Sequence, residues 1–325
     1  MKAQIVACLA IVACCNASPE ALWKIMLDPS NLQATTEDIP ALAESLGLST
    51  LVTFVKRAGL AQTLSAAGPF TVFGPSNAAF AKLPPALVQV LLKNNTLLAE
   101  VLEYHVLGGA VYASSLSNEL LAATLLPNEK IRFNLYNNDQ IATASGRRIV
   151  QVNQNATNGV IHTLDSVMLP PVGTVTGLVQ AMAAFSTLLK AVSVAGLADT
   201  LNGAGPFTVF APTNEAFSKL PAGALQKLLN NPKALANVLL YHVVSGTVYS
   251  AGLVDGDSVP TLNKQDIKIS ISEGGVEVNG VARVIMPDVS VTNGAVHVID
   301  TVLLPPSDSE NKMYFIQNLK SSIRL

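Results

Sequence analysis

Four histidines, His105, His162, His242 and His297, are the side chains of this sequence suited to proton transfer or metal ligation near neutral pH. Two of them have a carboxylate close by: Asp165 follows His162 by three residues, and Asp300 follows His297 by three. A serine–histidine–aspartate arrangement needs the carboxylate to orient the imidazole. Residues three apart on a strand point to opposite faces, so neither pair supplies that orientation. No Gly-x-Ser-x-Gly elbow and no glycine-rich phosphate cradle occurs. No two histidines have metal-ligand spacing, so no metal and no cofactor is expected. The cysteines, Cys8, Cys14 and Cys15, all lie near the N-terminus and leave the rest of the chain without a thiolate nucleophile. The chain reads as not an enzyme.

The histidines recur in pairs. Leu102-Glu103-Tyr104-His105-Val106 returns 137 residues later as Leu239-Leu240-Tyr241-His242-Val243. Asn158-Gly159-Val160-Ile161-His162-Thr163-Leu164-Asp165 returns 135 residues later as Asn293-Gly294-Ala295-Val296-His297-Val298-Ile299-Asp300. A longer stretch, Gly68-Pro69-Phe70-Thr71-Val72-Phe73-Gly74-Pro75-Ser76-Asn77-Ala78-Ala79-Phe80, has its counterpart in residues 205–217, again 137 residues on. A period this long marks two whole domains, because solenoid units run to about 20–50 residues. Matched positions in two domains assign the histidines a role in the fold. The copies are placed at 37–170 and 172–305, with Pro170-Pro171 as a short stiff joint that fixes their relation. Residues 1–17 read as a signal peptide, 18–36 as an N-terminal extension, and 306–325 as a C-terminal tail.

Each copy must position these residues with helices first and strands later. In the long box, Gly-Pro turns the chain into a short buried strand, a proline ends it, and Ser76 or Thr213 caps the next helix. Phe80 and Phe217 anchor that helix to the core. Apolar residues at helical spacing predict two helices before the box, among them Leu42, Leu46, Leu51 and Phe54 in the first copy. Two more helices follow the box and run into the Tyr-His pair, after which 106–112 and 243–249 are predicted as strand. Alternation at Ile267-Lys268-Ile269-Ser270-Ile271 predicts antiparallel strands. Asn158-Gly159 and Asn293-Gly294 are predicted as type I′ hairpin turns. The fold class is α+β.

At these three landmarks the residues resemble the fasciclin domain, whose boxes they match in the same order in both copies, the second more closely. The resemblance covers roughly 37–305 and implies two tandem fasciclin-like domains, each with a helical N-terminal part packed on an antiparallel β-rich wedge. It also implies a role in adhesion. In fasciclin-domain matrix proteins the Tyr-His box is implicated in integrin-dependent adhesion, which carries over to Tyr104, His105, Tyr241 and His242. An Asp-Ile adhesion motif of the family matches Asp288-Val289 in the second copy, with Val in place of Ile. In the first copy the position holds Asn153-Gln154, so the carboxylate is missing there.

Composition narrows the remaining classes. A net charge of −2 gives no electrostatic case for nucleic acid. With 13% charged residues and a mean hydropathy of +0.41 the chain is apolar, yet after the N-terminal segment no apolar run approaches the length of a transmembrane span. Ile11-Val12-Ala13-Cys14 also resembles a bacterial lipoprotein box. Asn16, Asn94 and Asn155 begin glycosylation sequons; the first falls at the expected cleavage site, which leaves Asn94 and Asn155 as surface acceptors. The expected protein is secreted, in matrix or at the cell surface, and binds an integrin-type receptor or matrix proteins. The alternative is an extracellular carrier of an apolar small molecule, a lipid or carotenoid.

Overall fold

The computed structural model describes residues 36–306. The expected signal peptide, the cysteines, Asn16, Trp23 and the tail beyond Pro306 lie outside the described residues. Each copy is a run of short helices on one side of a seven-stranded sheet, with the same strand order in both.

In the first copy three short helices, Ile39–Ser45, Ser49–Arg57 and Ala61–Leu64, precede the first strand, where two were expected. Gly47 and Gly59, both at positive φ, punctuate the run and divide it twice. Strand β1 is Phe70–Pro75. Then come helices Asn77–Ala81, Pro85–Lys93 and Asn95–Glu103 and strands β2 (Val106–Gly108), β3 (Leu120–Ala123), β4 (Lys130–Tyr136), β5 (Ile141–Ala144), β6 (Arg147–Ala156) and β7 (Gly159–Leu164). The second copy repeats the series with helices Val175–Ala181, Ser186–Val194 and Ala198–Asn202, strand β8 (Phe207–Pro212), helices Asn214–Ser218, Ala224–Leu229 and Pro232–Leu240, and strands β9 (Val243–Ser245), β10 (Ser258–Pro260), β11 (Asp266–Ser272), β12 (Gly275–Val278), β13 (Ala282–Val291) and β14 (Gly294–Ile299).

The caps form as expected. Ser76 Oγ accepts the Ala79 amide at 3.1 Å and Thr213 Oγ1 accepts that of Ala216 at 3.2 Å. Phe80 and Phe217 are buried in their copies' cores.

The sheet departs from an all-antiparallel wedge. β1 pairs with β7, and β8 with β14, in parallel; the other ladders are antiparallel. The long helical crossover after the first strand permits this, since parallel neighbours need a connection of a dozen residues or more. Strand β2 stops at Gly108, short of the expected 112, and the chain turns through a 3₁₀ segment at Ala113–Ser115.

The Asn-Gly signal found a hairpin but misread its turn. Ala156 pairs with Gly159, so the loop is Thr157-Asn158 and the glycine opens β7. Neither Asn158 nor Asn293 has positive φ. Their side chains are buried brackets instead. Asn158 Oδ1 accepts the Ile39 amide at 2.9 Å, and its Nδ2 donates to the carbonyls of Leu64 and Ala66. Asn293 does the same with Val175, Leu201 and Gly203. Gly159 and Gly294 are required because a Cβ there would strike the carbonyl of Phe70 or Phe207.

Candidate functional site

The Tyr-His boxes lie where the helix Asn95–Glu103, or Pro232–Leu240, ends and the edge strand begins. All four side chains are buried: Tyr104 and His105 are 1% exposed, Tyr241 and His242 2%. His105 Nδ1 donates to the Val101 carbonyl at 2.6 Å, while Nε2 accepts the Met168 amide at 3.0 Å. His242 repeats this with Val238 and Leu303 at 2.8 and 2.9 Å. An imidazole that donates through one nitrogen and accepts through the other is neutral. Burial pushes both pKa values down to about 4. The tyrosine hydroxyls are tied as well, Tyr104 to Ser145 at 2.8 Å and Tyr241 to Asn279 at 2.9 Å.

The second histidine of each copy is another bracket. His162 Nδ1 accepts the Asn153 amide and its Nε2 donates to the Val111 carbonyl; His297 does so with Asp288 and Val248. His162 is held below the usual imidazole range by burial. Each also stacks on a core phenylalanine, Phe73 or Phe210. All four imidazoles therefore spend both nitrogens on backbone groups.

Asp288 and Asn153 prove to be one position in two forms. Both sit in a strand irregularity at positive φ, 60° and 58°. Asn153 Oδ1 accepts the Ala113 amide at 2.9 Å; Asp288 Oδ1 accepts the Ser250 amide at 2.7 Å, and Oδ2 accepts the Ser250 hydroxyl at 2.5 Å. The Asp288 residue is 5% exposed, and Val289 is half-buried against the second core. The carboxylate expected to meet a receptor cation is thus engaged within the fold. Of the six expected adhesion residues, the structure groups them by copy in the core and presents none as an open polar site.

The sequons fare differently. Asn94 is exposed and caps the helix Asn95–Glu103 by accepting the Leu97 amide with Oδ1, which leaves its amide nitrogen outside the cap. Asn155 is half-buried within β6.

The residues that sequence reasoning missed form the junction between the copies. A knob on the second copy, Thr247–Gly252 with Asp288 to Thr292, enters a socket on the first, made by Glu119, Arg132, Tyr136 and Ser145–Arg147. The Arg132 guanidinium pairs with Glu119 at 2.5 Å and donates to the Thr292 carbonyl at 3.1 Å. Glu119 in turn accepts the Thr247 amide at 2.8 Å. Tyr136 OH donates to the Thr247 carbonyl and accepts the Tyr249 amide. The Tyr249 ring covers Gly146, where a Cβ would collide with it, and the Tyr136 ring covers Gly252 in the same way. Arg147 donates to the Asp288 carbonyl at 3.3 Å, and Ser290 Oγ to that of Ser145 at 3.1 Å. Burial pushes the Tyr249 hydroxyl up to about 12. One signal was available: Glu119, Arg132 and Tyr136 are replaced in the second copy by Gly256, Lys268 and Ser272, so they serve something other than the repeated fold.

Three cavities bear on ligands. Apolar crevices of about 30 and 50 Å³ lie beside His105 and His242, under the first helices of each copy. A larger one of about 260 Å³ lies at the junction, lined among others by Tyr104, Glu129, Arg132 and Tyr249. Burial raises the Glu129 carboxyl. Among the described residues no group of three or more metal-ligating side chains is gathered, and no single helix is long and apolar enough to cross a membrane.

Comparison with known proteins matches the model of the fasciclin domain twice, at residues 46–170 and 183–305. The chain belongs to the fasciclin-domain family. It is 34% identical over 241 residues to the transforming growth factor-beta-induced protein ig-h3 of Sus scrofa, a match that covers 74% of this chain and 35% of that protein. It is 30% identical over 263 residues to periostin of Homo sapiens, covering 81% of this chain and 31% of periostin. The chain thus spans about a third of the length of these fasciclin-domain relatives. Among solved structures it is similar to a FAS1 domain pair from the insect cell adhesion molecule fasciclin I, with 22% identity, a TM-score of 0.42, and coverage of 81% of this chain and 98% of that one. No enzymatic family is indicated by these matches.

Proposed function

We propose that this protein is an extracellular binding module: a secreted matrix or cell-surface adhesion protein whose two fasciclin domains bind an integrin-type receptor or matrix components without turnover. The observation that carries this reading is the use of the histidines. In both domains every imidazole is bonded on both sides to backbone, so the groups suited to chemistry support the shape of the surface. The kinship with ig-h3 and periostin supports the same reading. On this reading Tyr104, His105, Tyr241, His242 and Asp288 act by shaping the surface that a partner meets.

The carrier reading rests on the apolar composition. The four buried apolar clusters, two in each domain, account for that composition. The apolar crevices of about 30 and 50 Å³ fall far short of a carotenoid, and the larger junction cavity of about 260 Å³ is lined by the charged Glu129, Lys130 and Arg132.

Cell attachment to the purified protein coated on plastic, with and without a divalent-cation chelator, tests the proposal. Attachment that needs cations, and that weakens in a folded Asp288→Ala or His242→Ala variant, supports integrin-type adhesion. Attachment at no coating density overturns it.

A further inference from the structure

We propose that a second copy of this chain docks head to tail, with the Tyr112 face of its first domain seated on the Gly256–Gly280 face of the second domain. The chain's own junction is the template, since it joins a knob on one domain to a socket on another of the same fold. Such a contact is heterologous, and among the described residues it leaves one knob and one socket without a partner domain.

The repeat identifies both. The unused knob is Ala110–Ser115 with Asn153 to Thr157, which corresponds to Thr247–Gly252 with Asp288 to Thr292. Tyr249 is 1% exposed because the first domain covers it; its counterpart Tyr112 is 42% exposed. The unused socket is Gly256, Lys268, Ser272, Asn279 and Gly280, and Lys268, Ser272 and Gly280 are exposed. Backbone form is retained there: Glu119 and Gly256 share positive φ, 62° and 84°, as do Ser145 and Asn279, 45° and 56°, and Gly146 and Gly280, 81° and 64°.

The residues have changed in partnered pairs. Thr247 meets the Glu119 carboxylate in the intact junction; their counterparts, Ala110 and Gly256, have lost both the polar group and its partner. Large Tyr136 lies over Gly252, and the corresponding Ser272 and Ser115 are both small and polar. Tyr249 over Gly146 becomes Tyr112 over Gly280, with ring and bare backbone both kept. The Arg132 guanidinium on the Thr292 carbonyl becomes the Lys268 ammonium on the Thr157 carbonyl, a cation in each case. The second socket's loop is one residue longer and adds Val281, which is 62% exposed beside Gly280. That valine supplies an apolar contact for the Tyr112 ring in place of the lost Glu119 and Arg147 bonds. Because the faces are distinct, association does not close at a dimer unless the rotation forms a ring.

Sedimentation of the full chain, made without N-glycans, tests this over a concentration series reaching about 1 mM, where millimolar contacts become visible. Dimers, trimers and larger species growing with concentration are expected. Tyr112→Asp and Val281→Asp, at exposed positions, should each weaken association by roughly tenfold or more. Ser115→Arg serves as a second knob variant should Tyr112→Asp melt early. Mixing the knob variant with the socket variant restores one good junction, so the mixture should form a dimer and stop there. A monomer throughout the series, variants that associate like the parent, or a mixture without the dimer each overturns the proposal.

Discussion

His105 accepts the backbone amide of Met168, 63 residues further along, through Nε2 at 3.0 Å. His242 takes the Leu303 amide, 61 residues further along, in the same way at 2.9 Å. Each imidazole thus fastens the end of its domain's last segment to the helix that precedes the edge strand.

Stability should depend on these neutral imidazoles through pH. Their folded pKa of about 4 lies below the ordinary histidine value, so the unfolded chain binds the protons first as pH falls. Stability is complete above about pH 6.5 and declines between there and pH 4, by on the order of 3 kcal/mol for each histidine. Melting temperatures across that range check this, and a His105→Gln, His242→Gln double variant should be less stable at pH 7 with a flatter slope. An unchanged slope would remove the histidines as its cause.

Asp288→Asn should be far milder than Asp288→Ala. Asn153 already performs the cap with an amide oxygen in the first domain, so Asn keeps the bond to the Ser250 amide. Alanine leaves that part-buried amide unpaired and should cost about 1–2 kcal/mol in urea unfolding. Equal losses for the two variants would contradict the bracket role.

Gly294→Ala should abolish folding of the second domain. Its Cβ would overlap the Phe207 carbonyl, and neighbouring backbone has no side-chain freedom with which to yield. A loss above about 4 kcal/mol is expected, within the range for severe single substitutions. Gly246→Ala is the control: it also has positive φ but meets nothing within 4 Å, so about 1–2 kcal/mol is expected.

Glu119→Ala should loosen the pair of domains more than either domain. The variant leaves the Arg132 guanidinium, whose side chain is 8% exposed, without its carboxylate, and removes the acceptor for Thr247. The Glu119 side chain is itself 27% exposed, so losing this half-buried pair costs about 1–3 kcal/mol. Faster proteolysis near residues 170–174 and a larger radius in small-angle scattering should accompany it. A compact, resistant variant would show that the other junction bonds suffice.

Features encoded within a few residues or by repetition could be read from the amino-acid order alone. The two domains, the strand–proline–cap box and the fasciclin kinship were all legible there. A cap such as Ser76 works on an amide three residues away, and a period shows itself without coordinates. Features that depend on distant partners emerged with the folded chain. The Tyr-His boxes are buried because residues more than 60 positions away fold over them. Asn158 spends its side chain on residues about 92–119 positions away, so its local turn propensity lost to long-range bonds. The first strand pairs in parallel because the closing strand returns beside it from the end of the domain. The Glu119–Arg132 socket was invisible for the same reason: a charged pair 13 residues apart gains its meaning from a threonine 128 residues away in the other domain.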